Sequence, residues 1–451
     1  MKVFSLALRA SVAALCIGAA YVATRPRTAA AAETDTDPTV IRSRYMAIDV
    51  DTLRGPSDRR LLREPPVTLQ LFPDVTIVGT FDRYDPNPGG MTWVGRVEGV
   101  PASFITLVYS GGLMAGSIVT PDALYQIRPA SAEARAASSN AALHVVSEIE
   151  QAAFLREAPP IDVRFSDADR AVAAQTPMTD TSGVIDVMVL YTALAAANAG
   201  GSAGITNLIN LGVSETNTSY ANSGVAQRIR LVYSAQVPYA EVSGFSTNLT
   251  NLRNGNGALS GVAALRETHH ADLVTMLVHP TAPDACGIAF LMTSVTSAFA
   301  SSAFSVTDTT CVSPNYSFAH ELGHNMGARH DWFVDTGTTP FTYAHGHVNA
   351  ASTQRWRTIM AYPDQCTAQG FNCTRLLFWA NPQTKYLGFC GRGTNCDGLQ
   401  YWSFPGVPMG IAAGTSASCP SGNTSTTNCD ADDSRTLNDS ALTVANFRQA
   451  Q

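Results

Sequence analysis

The stretch HELGHNMGARHD, residues 320–331, constrains this chain more than any other. His320 and His324 are four residues apart, so on a helix they project from one face and can share one metal ion. A catalytic zinc takes three protein ligands and leaves a position for water. A straight helix would carry a third ligand away from that ion. Gly327 removes the obstacle, because a residue without Cβ can take a positive φ and end the helix sharply. The chain then turns back and His330 arrives as third ligand. Glu321 is placed to accept a proton from water activated by the metal. The economical reading is a three-histidine zinc site with a built-in general base.

The rest of the chain narrows the setting. Its 451 residues suit about two domains. Hydrophobic residues reach 45%, enough for sizeable cores. The net charge of −7 and the lack of a Lys/Arg block exclude nucleic acid as a partner. Lys2 and Arg9, the apolar run Ala10–Ala23 and the small residues of TAAAAE read as a secretory signal over residues 1–32. That run is 14 residues, short of the ~20 of a membrane helix, so stable membrane insertion is not expected. Cys16 lies in the signal. Cys286, Cys311, Cys366, Cys373, Cys390, Cys396, Cys419 and Cys429 remain, an even set that suggests four disulfides in an exported chain. Their pairing stays open, with short local loops the simplest arrangement. No CxxC pair supports a thiolate metal site.

Residues 33–285 contain no cysteine. Within them VTLQLFPDVTIVGTFDRYD, TWVGRVEG, SFITLVYSGG and LMAGSIVTPDALYQIRP read as strands of a small β-rich domain at about 40–128. The Ala/Ser/Glu-rich SAEARAASSNAALHVVSEIEQAAFLREAPP reads as part helix, part linker. AVAAQTPMTDTSG reads as an exposed hinge. From Val184 the pattern changes. VIDVMVLYT, QRIRLVYSAQVPY, ADLVTMLVH, CGIAFLM and AFSVTDTT read as strands, with ITNLINLGVSETNTSYANSG and SGVAALRETHH as helices. The alternation predicts an α/β sheet with packed helices. LNDSALTVANFRQ predicts a last helix capped by Asn438 or Asp439.

The extended pattern HExxHxxGxxH resembles the signature of metzincin proteases. That resemblance implies a methionine turn below the zinc, and WRTIMAYP supplies Met360. A polar helix with incidental histidines would have to explain both coincidences. Asp331 after the third histidine resembles adamalysins, where the acid ties the helix end to that turn. Tyr362 resembles the tyrosine of astacins and serralysins, which can contact zinc and stabilise the tetrahedral intermediate; packing under the site is its other reading. VIDVMVLYT, YANSGV, RIRLV, CGIAFL, FAHELGHNMGARHD, WRTIMAYPDQC and FWANP together look like bacterial peptidyl-Asp metalloendopeptidases. The resemblance implies an α/β (α+β) metzincin catalytic domain over 180–451, with a twisted mixed sheet, a zinc-bearing active-site helix and a cysteine-rich C-terminal part. A β-rich propeptide over 33–179 would precede it.

The same resemblance implies a secreted zinc endopeptidase with one catalytic Zn2+, cutting on the amino side of acidic residues. Structural calcium is left open. Such selectivity needs a cation, and Arg375 or Arg357 is the local candidate, since a guanidinium fork binds a carboxylate through two hydrogen bonds. CGIAFLM is expected as the edge strand to which an extended substrate adds, with Gly287 and Ala289 as contact points, or else as an interior strand. His345 and His347 read as loop or core histidines. Asn217 and Asn248 stand in glycosylation sequons. Protein or peptide substrates and the chain's own propeptide, as inhibitor, are the expected partners. No cysteine between the signal and Cys286 could cap the zinc, so a carboxylate or steric blockage is expected. Thr179–Asp180 is the expected self-processing bond. Two other functions remain open at this level: a non-catalytic zinc-bearing binding or toxin module, which Glu321 argues against, and a zinc amidase or esterase on non-peptide substrates.

Overall fold

The computed structural model describes residues 37–48, 66–87, 89–100, 102–168, 171, 179–181, 183–351, 355–386, 406–414, 419–420 and 429–449. The signal, most of the hinge, Cys390 and Cys396 lie outside these residues.

Strands β1 (Val40–Ala47), β2 (Val67–Phe72), β3 (Val75–Asn87), β4 (Gly90–Val97), β5 (Phe104–Ser110), β6 (Leu113–Val119), β7 (Leu124–Pro129) and β8 (Leu143–Ile149) form one sheet in the order β1-β8-β7-β6-β5-β4-β3-β2. Every pairing in it is antiparallel. Alternation drives it: in β2, Val67, Leu69 and Leu71 are buried while Thr68 and Gln70 face water. Trp93, Ile105, Leu107, Met114, Ile118 and Ile127 fill its core. Strand β8 corrects the sequence reading. LHVVSEI falls in the stretch expected as helix and linker, yet it pairs with β1 on one side and β7 on the other. The helical parts there are Ala132–Ala137 and a single 3-10 turn at Gln151–Ala153. The β-branched pair Val145–Val146 suits a strand, and the alanines flanking it hid the signal. The sheet therefore reaches Ile149 rather than residue 128.

Strands β9 (Ile161–Val163), β10 (Val184–Tyr191), β11 (Arg228–Gln236), β12 (Leu273–Val278), β13 (Gly287–Met292) and β14 (Phe304–Asp308) make a second, mixed sheet in the order β11-β10-β12-β14-β13-β9. The β10–β11, β10–β12 and β12–β14 pairings are parallel, which requires crossover connections. Helix Ser202–Asn222 supplies the first, and helices Phe245–Asn254 and Val262–Thr268 the second. Phe245–Asn254 was not read from the sequence. It buries only Phe245, Asn248, Leu249 and Leu252 on a polar background. Asn248 is buried and bonds Tyr239 and Val242, a structural use of that sequon residue. The last helix is Asp433–Val444, capped by the Asp432 carboxylate on the Arg435 N–H at 3.0 Å rather than by Asn438 or Asp439. Disulfides join Cys286 to Cys311, Cys366 to Cys373 and Cys419 to Cys429, all local. Among the described residues no helix is long and apolar enough to cross a membrane.

The two sheets meet across helix Ser202–Asn222. Strands β5 and β6 are buried on both faces, because one face lines their own core and the other covers this helix. Val108 and Ala115 pack on Leu211, while Ser110 donates to Asn207 at 2.7 Å and Ser117 to Glu215 at 2.5 Å. Burial pushes the Glu215 carboxyl up from 4.5 to about 7, against the bonds from Ser117 and Ser313. A raised folded-state pKa means that the stabilisation is complete below about pH 4.5 and is lost as pH rises to about 7. Glu215→Gln cannot ionise. Its melting temperature relative to the native chain should therefore climb across that window and level off above it. A difference that is the same at pH 5 and pH 8 would contradict the buried carboxyl's titration.

Candidate active site

Helix Ser317–Asn325 is buried along its whole length. Gly323 lets it lie against its floor: a Cβ there would sit 2.7 Å from the Trp379 ring and 3.0 Å from Met360 Sδ. The helix ends where Gly327 adopts φ +93°, and the Ala328 N–H returns to the Gly323 carbonyl at 2.9 Å. The chain then runs back beside residues 344–346, with Arg329 bonded to Ala344 and Gly346. His345 Nδ1 faces the His330 carbonyl oxygen, an acceptor, at 2.6 Å, and the ring stacks on Trp332 with centroids 3.8 Å apart. It is thus a buried support of the returning loop, and nothing in YAHGHVN announced this.

The three histidines converge. His330 Nε2 lies 3.1 Å from His320 Nε2 and 3.1 Å from His324 Nε2. His320 Nδ1 faces the Ile359 carbonyl at 2.9 Å and His324 Nδ1 the Ala328 carbonyl at 2.8 Å. Those carbonyls fix the tautomers and leave the Nε2 lone pairs pointing inward. Burial lowers all three imidazoles, His320 to about 4, so they are neutral as metal ligands must be. Among the described residues this is the one His/Cys/Asp/Glu cluster able to hold a metal ion. The donor set fits zinc, which takes three neutral imidazole nitrogens as protein ligands in catalytic sites.

Glu321 lies beside this cluster. Both of its carboxylate oxygens are buried without a hydrogen-bond partner among the described residues. Burial first, and the charge of Glu157 second, push this carboxyl well above the usual range. Gly287 opens β13 directly against it, and a Cβ there would come within 2.6 Å of Glu321 Oε1. Ala289 sits opposite Ser305 of β14. Asp331 accepts from the Tyr362 N–H at 2.8 Å and the Phe333 N–H at 3.1 Å, fastening the helix end to the turn that carries Met360. Burial pushes Asp331 up to about 6 despite these bonds. The Tyr362 ring packs 4.0 Å from that of His330, and its hydroxyl donates to the Glu157 carbonyl at 2.5 Å.

The two arginines differ in what they hold. Arg375 is 1% exposed, and its Nη1 and Nη2 bind Glu157 Oε1 and Oε2 at 2.5 and 2.9 Å. Arg357 spends its guanidinium on the Cys373 and Ala361 carbonyls at 3.1 and 2.8 Å. Burial, then the charge of Arg375, lowers Arg357 well below its ordinary value. Glu157 is itself held well below the usual carboxylate range: burial opposes this most strongly, and the charges of Arg375 and His320 together with the hydrogen bonds from Arg375 and Ser317 overcome it. Its Oε1 also accepts from Ser317 Oγ at 2.6 Å and Asn315 Nδ2 at 3.4 Å. Gln151 brackets the Arg375 backbone, its Oε1 accepting from the Arg375 N–H at 2.5 Å. Strand β13 is not the rim of its sheet here, because β9 pairs with it in parallel. Glu157, Gln151, Asn315 and Ser317 were not singled out from sequence. Glu157 is distant in the chain from the histidine motif, and no local spacing links them.

The metallo-peptidase family M12B reprolysin-like matches residues 181–387. A peptidyl-Asp metalloendopeptidase of Stenotrophomonas maltophilia (strain R551-3) is 32% identical over 355 residues, 77% of this chain and 71% of the relative. One from Xanthomonas campestris pv. campestris is 32% identical over 331 residues, 69% of this chain and 73% of the relative. The chain belongs to the peptidyl-Asp metalloendopeptidase family. It is a zinc metalloendopeptidase, a hydrolase of protein or peptide substrates. The readings as a non-catalytic module and as an amidase of non-peptide substrates fall away with that membership. If His330 is the third ligand, His330→Ala should lose bound zinc and peptidase activity together. Full zinc occupancy of that variant by elemental analysis would remove His330 from the ligand set.

Proposed function

We propose that this metalloendopeptidase is exported as a latent precursor and hydrolyses peptide bonds on the amino side of Asp and Glu. The observation that carries the specificity is Arg375. It is a fully buried fork, engaged by a carboxylate that lies beside the catalytic cluster. A buried bidentate pair of this kind discriminates strongly against a neutral isostere, whose pairing would leave a charge uncompensated. The names of the relatives point the same way. Arg357 is tied to main-chain carbonyls and is the lesser candidate.

In this reading His320, His324 and His330 hold the zinc, their Nε2 atoms aimed by the carbonyls behind them. A zinc ion bound there supplies Lewis acidity to water and to the substrate carbonyl. Glu321 takes the water's proton and passes it to the leaving amine. Its desolvated, unpartnered carboxyl favours proton uptake, which suits that shuttle. Tyr362 directs its hydroxyl to a carbonyl oxygen next to the cluster and would serve as a donor to the oxyanion. Met360 and Gly323 set the floor, and Asp331 and Gly327 fix the end of the helix. Gly287 leaves room for Glu321, and Gly287 with Ala289 offers main chain to an extended substrate.

Export rests on Lys2, Arg9 and the apolar Ala10–Ala23 run as a signal over residues 1–32, and on the local disulfides. Residues 33–179 would be the propeptide and 180–451 the catalytic domain. Asn446 accepts from the Thr179 and Asp180 N–H groups at 2.7 and 3.0 Å, which anchors the end of the proposed self-processing bond.

Glu321→Gln should keep its zinc and lose about 10²- to 10⁴-fold in turnover. A variant of near-native rate would eliminate Glu321 as the base. Arg375→Ala should depress cleavage before Asp far more than cleavage of neutral peptides, since a charge-assisted buried contact is worth roughly 1.5–3 kcal/mol. An unchanged ratio of the two rates would take the specificity away from Arg375.

A further inference from the structure

The segment Phe154–Val163 occupies the groove beside the histidine cluster, and its contacts describe both a pocket and its occupant. The Glu157 side chain enters a chamber walled by Arg375, Ser317 and Asn315, all buried. Its main chain lies along β13. The Cys286 N–H donates to the Arg156 carbonyl at 2.8 Å, and the Ala158 N–H donates to the Gly287 carbonyl at 2.8 Å. Beyond Pro159 and Pro160 the segment pairs with β13 as β9, running parallel to it. Arg156 adds an ion pair to Asp364 at 2.6 Å.

We propose that Glu157 is an intramolecular competitor that fills the acidic-side-chain pocket of the enzyme, and that Ser317 and Asn315 complete that pocket with Arg375. This rests on the reading that Arg375 selects acidic residues. The carboxylate meets the chamber's main donors: its two oxygens take the guanidinium fork, and Oε1 also takes the serine hydroxyl. The segment resists hydrolysis because its acid is in place while the bond before it is not. The carbonyl of the Arg156–Glu157 bond is turned onto the Cys286 N–H of the strand edge. The carbonyl that meets Tyr362 belongs instead to Glu157 itself. Pro159 and Pro160 follow after Ala158; their rings fix φ, which keeps the exit from the pocket stiff. An extended substrate needs the same pocket and the same strand edge, so it cannot bind until the segment leaves.

The test uses the full zinc-loaded chain and an internally quenched peptide with a single Asp, together with its Asn twin. Glu157→Ala, still of precursor size by mass spectrometry, should hydrolyse the Asp peptide at least tenfold faster than the native precursor. A second arm uses the active form that limited proteolysis releases from the native chain. There the free peptide AAFLREAPP, residues 152–160, should inhibit at least tenfold better than its Glu→Gln twin. A folded, zinc-bearing Glu157→Ala precursor as silent as the native one overturns the proposal. So does equal inhibition by the two peptides, which decides the matter alone if the variant fails to fold. The Asp and Asn substrates separate the two ideas. An active form without acid preference sinks the specificity reading and this inference with it. Acid preference combined with equal peptide inhibition sinks only the inference.

Discussion

Three imidazole lone pairs must meet at one buried point, and much of the catalytic half is arranged around that demand. Neutral imidazoles in a buried site need their outer nitrogens satisfied, or the rings would turn. The Ile359 and Ala328 carbonyls do this for His320 and His324. Ala328 is available because the helix stops: Gly327 at φ +93° turns the next carbonyl inward. Ile359 is available because Met360 and its turn sit below the helix, where Gly323 leaves no side chain. Asp331 locks the helix end to that turn through the Tyr362 N–H. One chain reversal thus depends on the next, and a residue with a Cβ at position 327 would meet both backbone strain and Pro340 at 2.8 Å.

The second constraint is charge. Arg375 and Glu157 are each 1–2% exposed, and desolvating both is costly unless the geometry is good and the remaining polar atoms are met. Here most are met, by Ser317, Asn315 and the Asn315 carbonyl. Such a pair adds little stability over an apolar contact, yet removing one partner alone is costly. That asymmetry would suit the proposed exchange of one carboxylate for another. When the first acid leaves, the buried guanidinium favours a second acid over any neutral side chain.

The histidine motif was legible because its chemistry is local: spacing, a helix and one glycine suffice. The α/β alternation from Val184 onward was equally legible, since mostly apolar strands such as LVTMLV stand out between more polar helices. Strand β8 was hidden because its neighbours are alanine-rich, and helix Phe245–Asn254 because few of its residues are apolar. The Asp432 cap was missed for a different reason: several Asn and Asp residues compete there, and only packing chooses among them. Glu157 was invisible in principle. An acidic residue in an Ala- and Pro-rich stretch carries no pattern, and only the tertiary fold brings it to Arg375.

Helix Ser202–Asn222 shows how burial and polarity can coexist for a reason. It is buried nearly all round, yet Asn207, Asn210, Ser214, Glu215 and Thr218 lie among its buried residues. These are not scattered. Asn207 and Glu215 bond Ser110 and Ser117 of the β-rich unit, Ser214 meets Asp85, and Thr218 accepts from Arg83 at 2.9 Å. The apolar residues Ile205, Leu208 and Ile209 belong instead to the core of the catalytic sheet. The face toward the β-rich unit is thus largely polar, with Leu211 on Val108 and Ala115 as an apolar contact within it. If the β-rich unit departs as the proposed propeptide, Asn207, Ser214 and Thr218 exchange protein partners for water at small cost, whereas an apolar face would be left sticky. In that reading the same polar contacts would serve both closure before release and solubility after it.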